Sequence, residues 1–308
     1  MSAQPGLWQQ LRQDNHDLAI SSNRLGSIGR TFFLFPQGGG PRGAFTTLTN
    51  GIFNHLRSRD VIILGGVLRE QAVAPLDVYD VSIIGAANQP RQSTSGGAPT
   101  GGGACWLAPT SPVATTPLIE LRAQGWEFSN IEFTPVNASA AVRLTRSASV
   151  DTIDASHARF SGCYFAANGG TTQIGIEDNG GASRVTIDDC RFEGLTGTAI
   201  LGLNTAAAVP LGWRVRRNLF LRNTNAIAMS SSQGLFESNT INQAADDANN
   251  KVNLVSVAAQ GDLNRVLYNV FSDLAANVTI AKGYKPGTTD VWRNYVTDVA
   301  AYVVTVPA

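Results

Sequence analysis

Val215-Arg-Arg-Asn218-Leu-Phe220 is the stretch that decides the fold: an apolar residue, two of any type, Asn, one of any type, and a second apolar residue. The phrase recurs along the chain. Phe128-Ser-Asn-Ile131-Glu-Phe133, Phe160-Ser-Gly-Cys163-Tyr-Phe165 and Ile187-Asp-Asp-Cys190-Arg-Phe192 precede it. Phe236-Glu-Ser-Asn239-Thr-Ile241, Val266-Leu-Tyr-Asn269-Val-Phe271 and Val291-Trp-Arg-Asn294-Tyr-Val296 follow it. Ile131 is the one departure from Asn or Cys at the fourth place. Successive copies begin 32, 27, 28, 21, 30 and 25 residues apart, a period that belongs to stacked repeat architectures.

Within a copy, Val185-Thr-Ile187 and Trp213-Arg-Val215 alternate with period two, as half-buried strands do. The Asn ends a short turn, and its tolerance of left-handed backbone suits it to the bend between two strands. In a stack of such coils Asn218, Asn239, Asn269 and Asn294 lie about 4.8 Å apart, close enough for a ladder of amide hydrogen bonds. Cys163 and Cys190 occupy the same position in the two coils before Asn218. Phe133, Phe165, Phe192, Phe220 and Phe271 then form an inward column. A third apolar stretch lies between copies: Ala141–Leu144, Gln173–Glu177, Ala199–Leu203, Ala226–Met229 and Asn253–Val257. Three short strands per coil describe an all-β fold, a right-handed single-stranded parallel β-helix.

The first third of the chain extends this reading. Phe32-Phe-Leu-Phe35, Pro36-Gln-Gly-Gly-Gly-Pro41, an apolar-faced helix from Phe45-Thr-Thr-Leu48 to about Arg57, Val61–Val67 and Val81–Gly85 resemble the N-terminal coil of the pectin-lyase-like superfamily. There a short helix covers the open end of the solenoid, and Thr46 or Thr47 is placed to cap it. The chain also resembles bacteriophage tailspike and virion β-helix proteins. That resemblance implies a homotrimer, a particle protein assembled in the host cytoplasm, and host surface glycan as a partner. The resulting division is an N-terminal arm over 1–30, with Leu7, Trp8 and Leu11 as an attachment face for other virion proteins, and a β-helix domain over 31–308.

Composition narrows the function classes. Lys and Arg total 23 against 23 Asp and Glu, and charged residues make up 15%, below the roughly 25% of ordinary globular chains. A nucleic acid held by overall charge is therefore not expected. No stretch approaches the about 20 apolar residues of a membrane span, and the start Met1-Ser-Ala-Gln-Pro-Gly lacks a signal-peptide pattern. The three cysteines and three histidines show no metal-ligand spacing, so neither metal nor cofactor is expected.

Glycan hydrolysis on a solenoid needs paired carboxylates. The acidic pairs Asp151 and Asp154, Glu177-Asp178, Asp188-Asp189 and Asp246-Asp247 are the candidates, with Arg143 and Glu177 read as a surface ion pair on one outer face, worth under about 1 kcal/mol. No complete polygalacturonase or pectate-lyase signature surrounds them, and Asp188 and Asp189 fall at turn positions held elsewhere by Ser, Gly or Arg. They are read as solvated turn residues. Trp126 and Trp213 are read as core, with a sugar-stacking platform as the alternative. The expectation from sequence is a structural or receptor-binding virion component without catalysis. The alternative is a polysaccharide-degrading lyase or glycoside hydrolase.

Overall fold

In the computed structural model the described residues are 29–86, 103–135, 139–146, 154–167, 169–202, 210–229, 231–242, 252–254, 263–272, 290–292 and 294–296. They form a right-handed parallel β-helix with a ten-stranded, a nine-stranded and a seven-stranded sheet. Each full coil gives one strand to each sheet. Thr186–Asp188, Arg191–Glu193 and Thr198–Gly202 make one such coil, and Arg214–Arg216, Leu219–Leu221 and Asn225–Met229 make the next. Register places equivalent positions over one another: Ile187 pairs with Val215, Phe192 with Phe220, and Ile200 with Ile227.

The inward column is a stack of rings. Phe165 and Phe192 lie 4.7 Å apart at 4°, Phe192 and Phe220 5.0 Å apart at 6°, and Phe133 and Phe165 5.1 Å apart at 11°. Parallel strands set a spacing near 4.8 Å, so identical residues at one register position are forced into offset stacking, which aromatic rings favour. Trp126 and Trp213 are fully buried, donating Nε1–H to the carbonyls of Val78 at 3.0 Å and Ala182 at 2.7 Å. No face of either ring is left for a sugar.

The ladder runs through both side chain and backbone. Asn239 Oδ1 accepts from Asn218 Nδ2 and from the Asn218 backbone N–H, each at 3.0 Å. Asn269 and Asn294 repeat the arrangement at 2.9 Å. Each amide also donates to a carbonyl of an earlier coil, as Asn239 does to Val215. The left-handed residue is not the Asn itself but the one before it. Asn130, Gly162, Asp189, Arg217, Ser238 and Tyr268 all have φ between 54° and 60°. The bend therefore costs about 1 kcal/mol at each non-glycine site, and the buried Asn compensates by bonding the backbone that the bend leaves exposed.

At the N-terminal end the expected helix to Arg57 shortens to a single π-helical turn, Leu48–Ile52. Its cap is also different. Thr47 makes no capping bond, and the Glu70 carboxylate from the next coil accepts the N–H groups of Leu48 and Thr49. Leu48 and Ile52 close the end of the core.

Candidate functional site

Outward side chains fall into rows, because register repeats each position from coil to coil. On the seven-stranded sheet one row reads Val73, Glu120, Arg143, Glu177, Leu201, Ala228. A single guanidinium thus lies between two carboxylates. Arg143 Nε donates to Glu177 Oε2 at 2.6 Å and its Nη2 to the Thr115 carbonyl at 3.1 Å. Glu120 Oε1 accepts from Arg122 Nε at 2.8 Å. The residues on either side along each strand, Ile119 and Leu121, Val142 and Leu144, Ile176 and Asp178, turn inward and hold the row in place. Glu177 keeps 10% of its side-chain exposure and Arg143 22%, so Glu177 is nearly buried and Arg143 is the more open of the two.

Glu120 and Glu177 stand two strand spacings apart, about 9.6 Å between backbones. The Arg143 side chain stands on the strand between them and is bonded to Glu177. Arg143 between them is a fixed, planar donor of the kind that recognises carboxylates.

The sequence candidates separate on the structure. Glu177 and Asp178 are adjacent in the chain and face opposite ways, as alternate strand residues must. Asp178 is fully buried; its Oδ1 accepts the N–H groups of Gly180 at 3.1 Å and Ala182 at 3.0 Å, and its Oδ2 has no partner among the described residues. Burial pushes its carboxyl up to about 6, against the pull of those backbone N–H groups. It belongs to a turn inside the core and cannot meet a substrate. Asp188 and Asp189 are not free solvated residues. Arg216 grips Asp188 at 3.0 and 2.6 Å, and Arg217 grips Asp189 at 3.0 and 2.9 Å, each from the next coil. The hydrogen bond from Arg217 holds the Asp189 carboxyl below the usual range. Both are inter-coil clamps.

Two groupings escaped the sequence reading. Glu120 was missed because it lies 57 positions before Glu177 in the chain, and only the register unites them. The other is on the nine-stranded sheet, where Glu132, Tyr164 and Arg191 share a row. There Glu193 accepts from Tyr164 Oη at 2.7 Å, Arg191 at 2.7 Å and Arg222 at 2.6 Å. Burial, then the bond to Glu193, pushes the Tyr164 phenol well above its ordinary value. Burial acts upward on Glu193 too, but the bonds from Tyr164 and Arg222 and the charge of Arg191 outweigh it and hold that carboxyl low. Tyr164 and Glu132 are buried and Glu193 is saturated with donors, so this network fastens coils together.

The three cysteines are free and buried. Burial, followed by its contact with Cys163, raises the Cys190 thiol. Among the described residues no group of three His, Cys, Asp or Glu is placed to hold a metal, and no helix is long and apolar enough to cross a membrane. Leu7, Trp8, Leu11, Asp151, Asp246 and Asp247 lie outside the described residues.

No protein-family model matches the sequence, and no curated protein matches it. Solved structures do. A pectin methylesterase mutant in complex with a hexasaccharide has a TM-score of 0.56 at 10% identity, covering 89% of this chain and 92% of that one. A pectin methylesterase in complex with another hexasaccharide gives 0.53 at 9% identity over the same shares. The pectin methylesterase PemA from Erwinia chrysanthemi gives 0.51 at 9%, covering 89% and 91%. At this identity the likeness establishes the fold, that of the pectin-lyase-like β-helices. It also corrects three expectations drawn from sequence: a bacteriophage virion component, a non-enzymatic role and a virion location. These three structures are pectin methylesterases, and nothing ties the chain to a tailspike. The physical reason for the error lies in the solenoid, which assembles a site from successive coils, so a missing linear signature is not a missing site.

Proposed function

We propose that this chain is a carbohydrate-active enzyme that carries out hydrolysis on an acidic polysaccharide. The observation that carries the reading is the outward row Glu120, Arg143, Glu177, with the guanidinium on the strand between the two glutamates. Arg143 is the contact for the anionic group of the sugar, and the glutamates on the two flanking strands serve as acid and base. The row continues with the uncharged positions Leu201 and Ala228. The likeness to pectin methylesterases solved with hexasaccharides supports the same class of substrate.

The test is incubation with polygalacturonate, methyl-esterified pectin and alginate. Reducing ends report glycosidic hydrolysis, released methanol reports ester hydrolysis, and ultraviolet absorbance reports elimination. Activity on at least one uronate polymer is expected, falling by about 100-fold or more in Glu120→Gln and in Glu177→Gln. Full activity in both variants, or inertness towards all three polymers, would overturn the proposal.

A further inference from the structure

The ten-stranded sheet carries a row of a different kind. Its outward positions read Glu127, Arg159, Thr186, Arg214, Leu235, Arg265, Asp290. Arginine stands on every second coil, and all three arginines are exposed. Exposed Arg184, held in left-handed backbone at φ 57° in the turn before Thr186, adds a fourth on the intervening coil. Neither Arg184 nor Arg214 has an ion-pair partner among the described residues. Arg159 meets Glu127 only loosely, at 3.5 Å with both side chains largely exposed. On the neighbouring row Asp188 is already taken by Arg216. The strip is therefore basic around Arg159, Arg184 and Arg214, on a chain whose formal charge is zero.

Like charges directly opposite one another on adjacent strands repel. Placing the row arginines on alternate strands keeps them about 9.6 Å apart, with Arg184 at the turn between two of them, a line of charge that an extended polyanion can follow. Among the described residues Thr186 and Leu235 fill the gaps between the row arginines, so no aromatic ring alternates with them to stack bases, and a nucleic acid is not the fit. We propose that this face is a binding surface for an extended acidic polysaccharide, separate from the Glu120–Arg143–Glu177 row. The choice of a glycan among polyanions rests on the function proposed above. Guanidinium forks on carboxylate or sulfate groups supply the contacts, and the surface holds the polymer on the protein while another length of it meets the other sheet.

The experiment is affinity electrophoresis of Glu177→Gln protein, which leaves the polymer uncut, in gels containing polygalacturonate, dextran or single-stranded DNA. Polygalacturonate should retard migration and dextran should not. Replacing Arg159, Arg184 and Arg214 together by Gln should weaken retardation by about tenfold, while replacing the three by Lys should preserve most of it. Circular dichroism of both triple variants checks the fold. Retardation unchanged in the Gln variant, lost equally in the Lys variant, equal in dextran, or stronger with DNA than with polygalacturonate would overturn the proposal. Retention with no cleavage of any polymer would remove the hydrolytic reading alone. Cleavage without arginine-dependent retention would remove this one alone.

Discussion

Asp178→Asn should stabilise the protein at neutral pH and flatten its stability profile on the acid side. The carboxyl sits at about 6 where its ordinary value is 3.8. A raised value means the folded state holds the proton more tightly than the unfolded state. The stability associated with Asp178 is then complete below about 3.8, is lost as pH rises through about 6, and stays lost above it. Two units correspond to about 3 kcal/mol, and at full burial solvent screening takes little from that. Asparagine keeps an acceptor for Gly180 and Ala182 and carries no charge. Its amide nitrogen replaces an oxygen that has no partner, at a cost of about 1 to 2 kcal/mol. The net gain over the native residue at about pH 7 should be about 1 to 2 kcal/mol, turning into a small loss at about pH 4. Urea denaturation of both proteins across that range measures it. Parallel profiles would show that Asp178 does not titrate within the fold, and a loss above about 2 kcal/mol at neutral pH would show that its ionised form is required.

Phe192→Ala, which removes the ring stacked between Phe165 and Phe220, should cost about 3 to 5 kcal/mol in the same assay. Asn239→Ala strands two donors of Asn218 and should cost about 2 to 4 kcal/mol, whereas Asp189→Asn at the exposed clamp should cost under about 1 kcal/mol; equal values would reverse the assignment of inward and outward positions. The depressed Glu193 carboxyl contributes stability above the ordinary glutamate range that is lost as pH falls, so Glu193→Gln should be less stable than the native chain near neutrality and converge with it in acid. Glu70→Gln should loosen the end turn, read as faster hydrogen exchange at Leu48 and Thr49 with the remaining coils unchanged.

Repetition made the fold legible. Val215-Arg-Arg-Asn218-Leu-Phe220 and its six companions specify two strands and the bend between them, and the period-two alternation shows which side chains face in. A local pattern suffices because each coil repeats the same short-range problem and stacks on its neighbour with identical hydrogen bonding. The same pattern was enough to place the Phe column and to bring the Asn residues into one line, since both depend on register position within the copy. The left-handed residue was misplaced by one, because Asn and its predecessor are both plausible at a bend and only the amide ladder decides between them.

The candidate site was beyond that reach. Arg143 and Glu177 were legible as neighbours on one outer face, but Glu120 belongs to an earlier coil whose alignment depends on turns of unequal length, from 21 to 32 residues between copies. The same holds for Tyr164 with Glu193, 29 residues apart. Conversely, Glu177-Asp178 and Asp188-Asp189 look like acid pairs when written out. In space strand alternation sends Asp178 into the core, and arginines one coil away occupy Asp188 and Asp189. A sequence states which residues lie near one another along the chain. In a solenoid the chemistry lies across the coils, perpendicular to the chain, where only stacking determines who meets whom.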